Sequence, residues 1–230
     1  MDEGRLPEGG RSRTPAVDAA KTFAAQLAAH GVTVKGEPKK AKGQGEEIAR
    51  VESLPVHVLM ETAMNRSNNS FTEILGLQLA RHTGHPSTFA GAVAAIEEQL
   101  RPLGLWEKGT KLHDSSGLSR SNRVTPSTLA RAAALIDTDR RLSVLLDGFP
   151  TAGVTGTLAD RFEDDVARPA RGVARAKTGT LSFVSTLAGT TVTDDGRLLA
   201  FAFMINGVPD GWAAKVWADQ ATGVVASCGC

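Results

Sequence analysis

The sequence predicts an α+β protein: an antiparallel β-sheet covered by a C-terminal helix, beside a cluster of helices. Three observations carry this expectation. From Ser53 to about Leu146, apolar residues recur at three- and four-residue intervals behind recognisable helix-start signals. From Val173 the pattern changes to strand-like alternation, and Asp194-Asp195-Gly196 is a strong hairpin signal between two such runs. The last stretch, Gly211 to Ala226, returns to helical spacing with Trp212, Val216, Trp217 and Val224. A helix that follows a hairpin packs back on the sheet.

In chain order, residues 1–15 read as loop. A helix follows from Pro15 or Ala16 to His30, with Val17, Phe23, Ala24 and Leu27 on one stripe and Gly31 ending it. Val32-Thr33-Val34 reads as a short strand, Gly36 to Gly45 as a Lys- and Gly-rich linker, and Ile48 to Val51 as a second strand. The domain boundary is placed in that linker, giving segments 1–45 and 46–230. Ser53-Leu54-Pro55 opens a helix carrying Val56, Leu59, Met60 and Ala63 that stops near Asn65. Ser70-Phe71-Thr72-Glu73 has capping-box spacing, so a helix is expected there, burying Phe71, Ile74, Leu75, Leu77 and Leu79.

Pro86 to Leu100 is the next helix, with Phe89, Val93, Ile96 and Leu100 inward. The run Asp114 to Arg123 is rich in turn formers and suits an ordered loop. Thr125-Pro126 is a cap followed by proline in the first turn of a helix through Ile136. Arg140 to Leu146 reads as a shorter helix, and Gly156-Thr157-Leu158 as a turn into a helical segment. Strands are then expected ending near Lys177, over Ser182–Thr193 and over Arg197–Asn206.

Composition narrows the function classes. With 41% hydrophobic residues, 22% charged residues and a formal net charge of +1, nothing points to nucleic acid as the main ligand. No apolar run reaches the ~18 residues that would span a bilayer, and Met1 to Arg13 is too polar for a signal peptide. The two cysteines, Cys228 and Cys230, are too few for a metal site, and a disulfide across one residue would be strained. They read as a tail feature. His30, His57, His82, His85 and His113 make no metal-binding pattern, so no metal or cofactor is expected.

Three polar clusters carry chemistry. In Lys177-Thr178-Gly179-Thr180, alternation sends Lys177 and Gly179 to one face and Thr178 to the other. The bare Gly179 admits a ligand backbone, and the Thr180 N–H is free to pair with it or with an oxyanion. Ser67 and Asn69 sit between two helices, where a hydroxyl relays a proton and an amide both donates and accepts. The third cluster is the loop Asp114 to Arg123. Taken singly, each also reads as a strand end, a helix linker and a solvated loop.

In this order, Met64-Asn65-Arg66-Ser67-Asn68-Asn69, Asp114-Ser115-Ser116-Gly117-Leu118-Ser119-Arg120-Ser121-Asn122-Arg123-Val124-Thr125, Gly156-Thr157-Leu158-Ala159-Asp160-Arg161-Phe162 and Ala176-Lys177-Thr178-Gly179-Thr180-Leu181 resemble the penicillin-recognising serine acyltransferases. The match is closest to the D-alanyl-D-alanine carboxypeptidases of the peptidase S13 family, class C low-molecular-mass penicillin-binding proteins, and runs from about Thr14 to Asn206. The resemblance implies a β-lactamase/transpeptidase-like fold, a cell-envelope or secreted location, and a cleft where a serine attacks the bond between two D-alanines of a peptidoglycan stem peptide. Stem peptide and β-lactams are the implied ligands. Ser67 and Lys177 would shuttle protons to the departing D-alanine. Asn69 would hold the substrate amide, Lys177, Thr178 and Thr180 would bind its terminal carboxylate and line the strand beside it, with Gly179 also among the substrate-binding residues, and Arg120 would meet the acidic end of the stem side chain.

One family element is missing. The nucleophile motif sets Lys three residues after Ser, and no serine of this sequence has that neighbour. The expectation is therefore the C-terminal portion of such an enzyme, incomplete at its N-terminus and inactive alone. Residues 1–45 would be the remnant of an inserted domain, and 46–230 the C-terminal part of the transpeptidase-like domain. The alternative from another class is a non-catalytic peptidoglycan-binding module or scaffold.

Overall fold

A computed structural model of the chain describes residues 12–41, 46, 47 and 49–229. The chain divides into two units, Met1–Ser53 and Leu54–Cys230. In the first, α1 spans Pro15–Ala29, with a proline in its first turn and no buried residue. The strand expected at Val32–Val34 is absent. Those residues are irregular and exposed, because β-branched residues form a strand only where another strand pairs with them. Of the strand expected at Ile48–Val51, Ile48 lies outside the described residues and the remainder is irregular, with Val51 97% exposed. The loop expected at the extreme N-terminus and the end of the Lys/Gly linker also lie outside the described residues.

The second unit builds its helical cluster from α2 (Val56–Asn65), α3 (Asn69–His82), α4 (Phe89–Leu100) and α5 (Pro126–Thr138). α3 starts two residues earlier than the capping box implied. The Asn68 side chain accepts the Phe71 N–H, so Asn68 is the cap and Ser70 lies inside the first turn. The buried positions of α3 are Gly76 and Ala80, whereas Ile74, expected inside, is 54% exposed. α4 begins after the Thr88 cap, which leaves Phe89 largely exposed rather than inward. α5 begins where Thr125-Pro126 placed it, the Thr125 hydroxyl accepting the Thr128 N–H at 3.1 Å. The short helix expected over Arg140–Leu146 is a 3-10 segment at Ser143–Gly148, and a 3-10 turn at Gly156–Leu158 follows.

The described sheet is antiparallel in the order β1 (Arg175–Leu181), β2 (Val184–Val192) and β3 (Leu198–Asn206). Lys177 therefore lies in the middle of a strand and not at its end. Its register pairs Lys177 with Ala188, Thr178 with Leu187 and Gly179 with Thr186. Cross-strand partners share a face. One face thus carries Ala176, Thr178, Leu187, Phe201 and Phe203, and the other Lys177, Gly179, Thr186 and Met204.

The first face is covered by α6 (Gly211–Ala226), whose Asp210 cap accepts the N–H groups of Trp212 and Ala213. Phe203 meets Trp217 edge-on at 5.6 Å. The main core lies here: Leu158, Phe162, Leu187 and Phe201 packed among the small residues Ala152, Ala170, Ala176 and Ala218. The second face is turned to α5 and the helical cluster. Cys228 is disulfide-bonded, a state that the spacing of the two tail cysteines had argued against.

Candidate active site

The site lies where the turn between α2 and α3 meets the middle of β1. Ser67 occupies that turn with φ +54°, a left-handed conformation uncommon for a residue with a side chain. The Asn68 N–H donates to Ala63 O at 2.8 Å, and the buried Asn68 side chain caps α3, so the turn is held on both sides. This conformation aims the Ser67 hydroxyl across the cleft, where Lys177 Nζ donates to its Oγ at 2.8 Å. Lys177 Nζ also donates to Thr178 O at 2.7 Å. Burial pushes the Lys177 ammonium down from its ordinary 10.5 to about 8, because the charged form loses its hydration inside the fold. An amine that titrates near neutrality exchanges protons readily with a neighbouring hydroxyl.

The cleft encloses about 460 Å³. Among the described residues, its lining includes Ser67, Asn69, Arg120, Arg123, Lys177, Thr178, Gly179 and Thr180, and no aspartate or glutamate. Three cations without a carboxylate among them favour an anionic ligand. All seven site residues expected from the sequence, Ser67, Asn69, Arg120, Lys177, Thr178, Gly179 and Thr180, line this one cleft.

β1 borders the cleft with a free rim. The Ala176 N–H donates away from β2, to Pro150 O at 2.9 Å. Alternation sends the N–H groups of Thr178 and Thr180 in the same direction, out of the sheet and toward an extended ligand. The space that a side chain at Gly179 would take is filled from within the sheet. A Cβ there would lie 2.3 Å from Thr186 Oγ1, so the glycine admits a neighbouring hydroxyl.

The opposite wall is the loop Asp114–Arg123, held by two acceptors. Asp114 receives the N–H of Gly117 at 3.0 Å and the Asn122 amide at 2.8 Å. Glu73 receives the N–H groups of Ser115 and Ser116 at 3.2 and 3.1 Å. The glutamate expected to complete a local capping box instead reaches a loop some forty residues away. One turn further along α3, Gly76 leaves room for Ser115 Oγ, which would lie 2.0 Å from a Cβ at that position. Arg120 reaches across the cleft mouth to donate to Ser182 O at 3.1 Å, joining the loop to the β1–β2 turn. Thr157 and Thr186 are site-supporting residues that the sequence did not single out, and Glu73 was read only as a capping residue. Only Thr157 lay inside a motif segment.

A transpeptidase-like sheet with helices on both faces, and a Lys–Ser pair bridging its cleft, defines the fold of the penicillin-binding proteins. Penicillin-binding protein 4 (DacB) of Haemophilus influenzae, solved in complex with a β-lactam, superimposes with a TM-score of 0.80 at 27% identity, over 92% of this chain and 51% of that one. The model of the D-Ala-D-Ala carboxypeptidase 3 (S13) family matches residues 2–227, and the chain belongs to that family. It is 40% identical to Carboxypeptidase DacB of Mycolicibacterium smegmatis over its whole length, and 34% identical to the D-alanyl-D-alanine carboxypeptidase of Actinomadura sp. over 84% of it. The chain spans 51% of the first relative's length and 37% of the second's.

Proposed function

We propose that this chain provides the proton-relay and carboxylate-binding half of a serine-type D-Ala-D-Ala carboxypeptidase/endopeptidase acting on peptidoglycan stem peptides outside the cytoplasm. The observation that carries the reading is the 2.8 Å contact between Lys177 Nζ and Ser67 Oγ, inside a cleft lined by cations and no carboxylate. The substrate's terminal carboxylate lies against Thr178 and Thr180, its chain pairs with the rim of β1, and the Asn69 amide holds a substrate amide. Arg120 faces the acidic end of the stem side chain. When the peptide bond breaks, the departing D-alanine amine takes the Ser67 hydroxyl proton, and Lys177 Nζ returns one to the serine. The Thr180 N–H donates to the developing oxyanion.

Acylation needs a Ser-x-x-Lys nucleophile, and residues 1–230 contain none. These residues alone therefore bind stem peptide reversibly and do not turn it over; residues 1–45 belong to an inserted domain and 46–230 to the transpeptidase-like domain. Titration with acetyl-D-alanyl-D-alanine, followed by labelling with a fluorescent penicillin, tests this. Saturable binding at millimolar ligand with no covalent label is expected. No binding at millimolar ligand overturns the carboxylate reading, and covalent labelling overturns the assignment of a missing nucleophile. The same binding without turnover also suits a non-catalytic peptidoglycan-binding module. Adding the relatives' Ser-x-x-Lys half separates the two, since only the enzyme half regains turnover.

A further inference from the structure

The turn Gly156-Thr157-Leu158 touches three parts of the molecule with three successive residues. Gly156, at φ +56°, is pressed against the end of α2, where a Cβ would lie 2.5 Å from Asn65 O, two residues before Ser67. Leu158 is fully buried in the core under the sheet. Between them, Thr157 Oγ1 lies 3.0 Å from Thr178 Oγ1 on β1. The turn is fixed from behind as well. Arg161 pairs through two bonds with Asp219 of α6, Nε to Oδ2 at 3.0 Å and Nη2 to Oδ1 at 2.6 Å, and its Nη2 also donates to Lys215 O. Thr157 is thus a β-branched residue on an immobilised backbone, with little rotamer freedom.

A threonine hydroxyl has one proton and two lone pairs. If Thr178 gives its proton to Thr157, nothing is left to donate to a carboxylate. If Thr157 is the donor, one lone pair of Thr178 is occupied and its proton is left for a ligand in the cleft that Thr178 lines, in a chain that strengthens each link. We infer that Thr157 is a positioning residue: it donates to Thr178 Oγ1, fixing that side chain in one rotamer with its proton directed at the ligand's carboxylate. The second part of this inference rests on the carboxylate reading of the cleft; the first part does not.

The test uses the full 230-residue chain. In solution NMR, three-bond couplings report the Thr178 side-chain rotamer without ligand. One rotamer is expected in the wild type and in Thr157→Ser, and averaging in Thr157→Val. Thr157→Ala makes the same deletion should the valine variant fold poorly. A single rotamer retained in the valine or alanine variant overturns the inference. Titration with acetyl-D-alanyl-D-alanine and with its methyl ester then reads the carboxylate. The acid is expected to bind the valine variant about five-fold more weakly, the size of one hydrogen bond, while the serine variant stays near wild type and the ester is unaffected. Equal weakening of acid and ester overturns the positioning role. A wild type that binds neither refutes the carboxylate reading, while the couplings still decide whether Thr157 holds Thr178.

Discussion

Removing the Lys177 charge by Lys177→Met has a calculable effect on stability. Burial lowers Lys177 from 10.5 to about 8, and each pKa unit corresponds to about 1.4 kcal/mol. Holding the ammonium inside the fold therefore costs on the order of 3 kcal/mol that the unfolded chain does not incur. Below pH 8 both states keep the proton and the cost is fully present. Between pH 8 and 10.5 the folded chain releases the proton while the unfolded chain retains it, so wild-type stability rises across that window and levels off above it. Methionine fills a similar volume, loses bonds to Ser67 Oγ and Thr178 O of about 1 kcal/mol each, and removes the titration. At pH 7 the variant is expected to be at least as stable as wild type, by up to about 1 kcal/mol. Urea unfolding at several pH values between 7 and 10.5 measures both curves. The window is unobscured by phenols, because the chain contains no tyrosine. The wild-type curve should climb by about 2–3 kcal/mol and the variant's should stay nearly flat. Parallel curves would refute the claim that Lys177 is a desolvated cation.

Further predictions concern ligand and scaffold. Binding of acetyl-D-alanyl-D-alanine should weaken as pH rises through about 8, the pH at which Lys177 loses its charge, and a flat calorimetric profile from pH 7 to 9.5 would contradict the role given to that ammonium. Asp219→Ala strands the Arg161 guanidinium, 12% exposed, and should cost about 3–5 kcal/mol in thermal unfolding. Gly156→Ala puts a methyl group against Asn65 O in a left-handed turn and should cost about 1–3 kcal/mol. Glu73→Gln weakens the hold on Ser115 and Ser116, so hydrogen exchange of those two amides should accelerate while the α3 amides stay protected.

How much the sequence revealed depended on where each partner lies. Thr125-Pro126 marks a helix start by its own chemistry, and Asp194-Asp195-Gly196 marks a hairpin, so α5 and the β2–β3 pair were legible from a few neighbouring residues. Lys177, Ser67 and the loop wall were legible because their residue types are unusual in combination. Val32–Val34 misled because β propensity expresses itself only where another strand pairs. Ser70 and Glu73 misled in a different way. Their spacing fits a local cap, yet the left-handed turn at Ser67 brings Asn68 into that position and frees Glu73 for a distant loop. The filling of the Gly179 space by Thr186, and the contact of Thr157 with Thr178, depend on strand register and on tertiary contact, which no window of sequence contains.

The outward-pointing amides of Thr178 and Thr180 make part of this cleft indifferent to side-chain identity. Nearly every single-codon change at either position leaves its N–H where it is, and only proline erases it. Escape from an inhibitor that pairs with this rim should therefore concentrate at Lys177, at Arg120 and in the loop opposite. Within β1, proline or a slip in strand register is the change that would defeat it.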